Sequence, residues 1–378
     1  MRRTSEFSLP SDRSPGMLSK LVLFALAVLV AGALSEALVR LVKPGYPGFR
    51  LPQVEHRPVP GIGFEMVPRQ NAFTWASPAR INSLGFRGPE LRDPPGRPLV
   101  FCVGDSMTFG NSVTEDATYA HQLQQLLARE WPSSRPETIN MGVQRYFAYQ
   151  EMELVKMHAP RLRPAVVTLA IYVNDLGVRP SGDFVREYEK EREEAATAFR
   201  NVAPSLYLLL KNSATIELLK RIYYARNATE STSLNALAGI VATRDEPKWQ
   251  GLERELLTFR ELAQTFGFRP YVVFVPARQQ VQSDLPDSLY PRRLVKYTRD
   301  IGLIAIDPIE SFKRELKGGR DPYLPWDDHM SQTGHRLVAE ALVEPIRRDA
   351  PTILRQNLGG SELSAGIEEL GNRQESEL

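Results

Sequence analysis

From about residue 98 onward the chain alternates between short, uninterrupted apolar runs and longer stretches whose apolar positions recur at helical spacing. The runs PLVFCVGD (98–105), ETINMG (137–142), AVVTLAIYVND (165–175), PYVVFVPA (270–277) and GLIAIDPI (302–309) have the length and content of buried strands. Between them, a stretch from about Ala117 to Glu130 sets Leu123, Leu126 and Leu127 on one helix face. YQEMELVKMHAPRLR and a final stretch from about Thr333 to Arg348 read as helices too. Central strands apolar on both faces, alternating with helices, predict an α/β three-layer sandwich built on a parallel sheet.

The pattern departs from this alternation in three places. Residues 44–97 are rich in Pro, Gly and Arg and show little periodicity, so they read as an extended linker packing on the domain that spans 98–350. More than 90 residues separate the third and fourth runs, where a crossover needs only about a dozen. This insertion, at about 178–250, holds the charge run REYEKEREEAATAFR, read as a solvated helix face, and the apolar helical segment APSLYLLLKNSATIELLKRIYY, expected to cover a site as a lid, with extra packing on the domain as the alternative. WQGLERELLTFRELAQTFG is the expected crossover helix. The polar, acidic tail 351–378 is expected to be disordered.

Ahead of all this, behind a polar tail 1–16, residues 17–43 contain an uncharged stretch from Leu21 to Ser35 flanked by Lys20 and Glu36. A spanning helix needs about 20 apolar residues, and Lys20 can snorkel while Glu36 and Arg40 pair at the far interface. The segment is read as a membrane anchor. A cleaved signal peptide with Ala31-Gly32-Ala33 as its processing site is the alternative. Both place the following domain outside the cytoplasm, in the periplasm or at the cell surface. Flanking positive charges do not orient the helix, since Arg2, Arg3, Arg13 and Lys20 are matched by Arg40, Lys43, Arg50 and Arg57.

Composition narrows the chemistry. A net charge of +2 without a basic stripe argues against a nucleic-acid partner. One cysteine, Cys102, rules out an intramolecular disulfide and Cys-rich zinc sites, and reads as a small core residue. No cofactor or metal is expected, and the oligomeric state is not legible.

In an open parallel sheet the ligand site lies beyond the carboxyl ends of the strands. Gly104-Asp105-Ser106 ends the first run, Gly142 the second and Asn174-Asp175 the third, while Asp327 and His329 lie in the loop LPWDDHMSQTG before the last helix. A hydroxyl, a backbone donor, an amide and an imidazole thus meet at one rim. His329 is preferred over His56, His121, His158 and His335, the last read as a surface or capping residue.

The ordered blocks VGDSMTFG, NMG, VND and DDHMSQTGHRLVAEAL resemble those of the SGNH/GDSL hydrolases over about residues 98–349, and INSLGFRG (81–88) is similar to a segment of their bacterial membrane-anchored members. The resemblance implies a flavodoxin-like sheet and acyl transfer through a serine ester. Carried over by position, Ser106 is the expected nucleophile and His329 the general base. The Ser106 N–H, the Gly142 N–H and the Asn174 amide are the expected oxyanion hole. The family usually places its acid three residues before the histidine, where this chain has Trp326. Its acids are Asp327 and Asp328, a spacing that resembles the alginate O-acetyltransferase-like SGNH proteins. In an extended loop, residues two apart share a side, which selects Asp327. GVQRYF, where relatives often carry a further glycine, puts Arg145 within expected reach of the site. The implied activity is an exported serine esterase acting on acyl or acetyl esters of a glycan or lipid. An O-acyltransferase acting on a polysaccharide is the alternative, and a non-catalytic carbohydrate-binding or assembly protein the second.

Overall fold

The computed structural model describes residues 16–43, 45–46, 48–91, 97–176, 203–226, 246–282 and 290–358. After a helix α1 (Met17–Val42) come two antiparallel hairpins, β1 (His56–Val59) with β2 (Gly63–Met66) and β3 (Gln70–Thr74) with β4 (Ser77–Ile81). The five apolar runs then form β5 (Leu99–Gly104), β6 (Glu137–Gly142), β7 (Val166–Ile171), β8 (Arg269–Phe274) and β9 (Ile304–Ile306). All pair in parallel, in the order β6-β5-β7-β8-β9. Every residue of β5 and β7 is buried, which is why both read as unbroken apolar runs. Cys102 lies in that core, where burial pushes its thiol up to about 12.

The helices are α2 (Ser106–Phe109), α3 (Tyr119–Glu130), α4 (Ala148–Leu162), α5 (Pro204–Lys211), α6 (Ala214–Arg226), α7 (Glu246–Phe266), α8 (Arg278–Gln282), α9 (Arg292–Asp300), α10 (Ile309–Lys317) and α11 (Gln332–Leu358). Two layers flank the sheet: α3 packs on α11, and α4 packs on α7, the expected crossover helix. The start of α3 is capped twice, by Thr118 Oγ1 accepting the His121 N–H and by His335 Nδ1 accepting the Tyr119 N–H at 3.2 Å. His335 is therefore a capping residue, but a buried one and not a surface one. Burial holds its pKa down at about 3, so it stays a neutral acceptor.

Residues 44–97 are not the extended linker expected. Their second hairpin reaches the edge strand β6 through bridges from Ile81 to Arg87 and from Arg87 to Asn140, which covers an otherwise open edge. Arg87 is buried, and its guanidinium donates to the carbonyls of Phe109 (2.8 Å), Gly110 (2.6 Å) and Val113 (2.7 Å). Phe109 closes α2 and Gly110 is its C-cap, so the first two of these carbonyls lie beyond the hydrogen bonds that the short helix makes for itself, and Val113 follows in the next turn.

The last helix also differs from expectation, running to Leu358, ten residues past Arg348 and through Pro351. Residues 351–358, expected to belong to a disordered tail, thus continue the last helix, while the charge run at 186–200 and residues 359–378 of that tail lie outside the described residues. Within the insertion, α5 and α6 dock on the end of α1. Glu36 of α1 accepts from the backbone N–H groups of Ala214 (2.9 Å) and Thr215 (3.0 Å) and from Ser213 Oγ (2.8 Å), which caps α6. Arg40 donates to Glu36 and to the Asn212 carbonyl.

Candidate active site

Ser106 opens α2 immediately beyond β5. Asp105 is the N-cap of that helix, its Oδ1 accepting the Met107 N–H at 2.8 Å. Gly110 ends the helix in the left-handed conformation at φ 85°, where a side chain is disfavoured. The turn sits directly on β6, since a Cβ at Gly142 would lie 2.1 Å from the Phe109 nitrogen. Glycine at 142 is thus what allows the serine-bearing helix to rest on the sheet.

Ser106 Oγ lies 2.8 Å from His329 Nε2, and His329 Nδ1 lies 2.9 Å from Asp327 Oδ2. The carboxylate is off the Nδ1–H direction, so this second contact is an ion-pair approach more than a straight hydrogen bond. The other oxygen of Asp327 accepts the Asp328 N–H at 2.7 Å. The loop is bent and not extended as the parity argument assumed: the Asp327 N–H donates to the Leu324 carbonyl, and the Leu324 N–H to that of His329. Arg278 holds this bend, pairing with Asp321 (3.1 Å) and Asp328 (3.1 Å) and donating to the Asp327 carbonyl. Asp328 therefore faces Arg278, whereas Asp327 faces the imidazole.

Burial opposes protonation of His329, but the Asp327 carboxylate, with Asp105 and Asp328 nearby, outweighs it and raises the pKa above the usual 6.5. A third group meets this ring. Asn111 Nδ2 lies 3.1 Å from Nε2, and its orientation is set because Asn111 Oδ1 accepts from both Thr74 Oγ1 and Gln144 Nε2. Two donors at Nε2 and a carboxylate at Nδ1 select the tautomer with the proton on Nδ1. The Asn111→Ala substitution removes a donor that favours neutral imidazole. The acid limb of kcat/KM is expected to rise by roughly half to one pH unit, the size of one neutral hydrogen bond. A pH–rate profile reads this directly, and an unmoved limb would show that the amide has no hold on the ring.

The three expected oxyanion donors are placed unequally. The Ser106 N–H, at the first position of α2, has no acceptor among the described residues. Asn174 gives one N–H to Asp105 Oδ2 at 2.7 Å, which leaves the other. The Gly142 N–H instead donates to Asn140 Oδ1 at 3.1 Å. Arg145 does not turn into the site either. It is exposed, and its guanidinium lies 5.9 Å from the Phe64 ring centre on the N-terminal hairpin. Its neighbour Gln144 reaches the site through Asn111. Asn111, Gln144 and Asp105 were given no role from sequence. GDS and the TFGN that follows it were the only local signal, because these side chains meet only in the folded chain.

Beneath the turn lie three buried carboxyls, Asp105, Glu151 and Asp175. Both oxygens of Glu151 and Oδ1 of Asp175 have no hydrogen-bond partner. Burial first, then mutual repulsion, raises the pKa of Glu151 and Asp175 well above the carboxylate range. The folded state holds the Glu151 proton more tightly than the unfolded chain. Its contribution to stability is complete below the unfolded value of 4.5 and is lost as pH rises toward the folded one. The Glu151→Met variant, of similar volume, is expected to gain Tm over the parent progressively between pH 5 and pH 8. A constant difference across that range in thermal melts would contradict this.

An apolar recess lined by Tyr46, Trp75, Leu324, Pro325 and Trp326 adjoins Asp327. Among the described residues no cluster of His, Cys, Asp and Glu has metal-site geometry.

No family model and no curated protein matches the chain. Among solved structures, it is similar to the acetyl xylan esterase AlAXEase at 16% identity, over 66% of this chain and 99% of that one, with a TM-score of 0.38. A lipolytic protein of the G-D-S-L family from Veillonella parvula DSM 2008 gives 13% identity over 65% and 96%, with a TM-score of 0.35. The acetyl xylan esterase Axe2 from Geobacillus stearothermophilus gives 16% over 66% and 94%, with a TM-score of 0.37. About two thirds of the chain is thus distantly similar to solved esterases and G-D-S-L lipolytic proteins.

Proposed function

We propose that this chain is an SGNH-type serine esterase that cleaves acyl or acetyl esters through an acyl-enzyme on Ser106. It is held at a membrane by α1, with its catalytic domain outside the cytoplasm. The observation that carries the reading is the Ser106–His329–Asp327 line, at 2.8 and 2.9 Å.

In this reading His329 Nε2 takes the Ser106 proton as Oγ attacks the ester carbonyl carbon. The resulting oxyanion is met by the Ser106 N–H and the remaining N–H of Asn174, each such donor lowering the barrier by ~2.7–4 kcal/mol. Gly142 enters as the packing position under α2. Asp327 stabilises the imidazolium, which then gives its proton to the departing alkoxide oxygen. Water, activated by the same Nε2, releases the acid and restores the serine. The anchor reading is supported by α1 itself, 26 residues with a mean hydropathy of 2.4 over its best window and none of that window buried.

Two measurements test the reading. A fluorophosphonate should label the peptide that contains Ser106, and a label on another serine of active protein overturns the assignment. With an activated acetyl ester, acetate release should be the main outcome with or without added oligosaccharide. Acetylated sugar as the main product would establish an acyltransferase instead.

A further inference from the structure

The insertion helices α5 and α6 carry apolar surface that stays exposed among the described residues. On α5, Leu206, Leu209 and Leu210 are exposed, and on α6, Leu219 and Ile222. The spacings i, i+3, i+4 and i, i+3 put each set on one helix face. Leu209 is 68% and Leu219 59% exposed, values that an ordinary packed helix does not reach at its apolar positions.

Their position identifies what covers them. The pair is fixed to α1 at Ser35, Glu36, Val39 and Arg40: Glu36 caps α6, Arg40 holds the Asn212 carbonyl between the helices, and Ser35 meets Thr215. The uncharged stretch of α1 ends at Ser35, and Glu36 and Arg40 are its first charges beyond. On the anchor reading, which this inference requires, those charges mark the boundary between hydrocarbon and headgroups. The exposed faces of α5 and α6 are therefore moored at that depth, next to the exposed apolar surface of α1.

We propose that α5 and α6 form a second membrane contact, lying in the interface of the bilayer that α1 enters, with their leucine-rich faces toward the acyl chains. The occupant is lipid, because the uncovered surface adjoins a segment already solvated by lipid. This contact also touches the catalytic loop. Trp326, next to Asp327, packs with Tyr46 and with Ala214 of α6, and the Tyr46 hydroxyl donates to the Lys211 carbonyl at the end of α5. Glu217 of α6 forms part of the recess beside Asp327. Seating the pair on lipid thus sets the site facing an ester at the membrane surface.

The test uses the full chain in phosphatidylcholine–phosphatidylglycerol nanodiscs. An environment-sensitive fluorophore is placed on Leu209→Cys, Leu219→Cys, Leu26→Cys within α1, or Lys296→Cys on α9 beside the edge strand β9. Cys102 is buried and stays unlabelled in the folded chain. Lipid carrying a doxyl quencher near the headgroup or, in a parallel sample, deep on the acyl chain is then added, so that both depths are read, and melting curves verify that each variant is folded. Emission at Leu209 and Leu219 is expected to fall at least twofold, as at Leu26, with Lys296 unchanged. Quenching at Leu26 but not at Leu209 and Leu219 overturns the second contact and leaves the anchor standing. No quenching at Leu26 removes the anchor reading and the inference with it. Shielding of Leu209 from aqueous iodide without doxyl quenching, in a chain that crosslinks to itself, assigns the face to a second copy and overturns lipid as occupant.

Discussion

Ser106→Ala is expected to lower kcat on an activated acetyl ester by a factor on the order of 10⁶, the scale seen when a serine nucleophile is removed from a coupled triad. The effect is large because in the proposed mechanism Oγ forms the acyl bond, and among the described residues no other hydroxyl meets His329 Nε2 to replace it. Removing it should leave the fold intact. Among the described residues Ser106 Oγ makes only that contact and a 3.4 Å approach to Asp105, while α2 is held by the Asp105 cap and by Arg87 on its closing carbonyls. Retained thermal stability with lost turnover and lost fluorophosphonate labelling is the expected combination. Turnover within about tenfold of the parent would mean that the acyl group is carried elsewhere.

Asp327→Asn comes second. The amide keeps the shape of the side chain but removes the charge that raises the His329 pKa, and a loss of about 10⁴ in kcat is the precedent for a triad acid. The acid limb of kcat/KM should also move down in pH, since the carboxylate is the leading group favouring the imidazolium. Asp328→Asn is the contrast. Its partner is Arg278, so the expected loss is loop rigidity, read as a lower Tm with kcat nearly retained. A large kcat loss for Asp328→Asn beside a near-normal Asp327→Asn would reverse the roles.

The sheet was legible because its strands are buried on both faces and so appear as unbroken apolar runs. The two N-terminal hairpins were not. Their strands are four or five residues long and partly exposed, so neither alternation nor a continuous run stands out. The β3–β4 turn adds no Asn-Gly or Asp-Gly signal, because Trp75 itself takes the positive φ of 56°. The last helix reads only to about Arg348, yet its backbone continues through Pro351. At the candidate site, the serine could be named from its place at a strand end, and both loop acids and His329 from their place in the loop before the last helix. The reason for preferring Asp327 did not hold, since the loop bends around Arg278, although the carboxylate nearest the imidazole is still that of Asp327. Asn111 and Gln144 carried no signal, since their effect on the imidazole depends on a side-chain network that also draws in Thr74 from β3, a segment read as linker.

The Glu36 cap on α6 has a kinetic corollary. A carboxylate in the next-to-last turn of α1 that is bonded to the insertion leaves no slack between anchor and domain. With α1 in a bilayer, the catalytic rim cannot sweep a volume as a domain on a flexible leash does. On the anchor reading it would patrol a plane at fixed height. Its rate against a lipid-borne ester would then follow molecules per unit of membrane area. Diluting that ester with inert lipid should slow turnover even at constant bulk concentration, whereas diluting whole vesicles into more buffer should not.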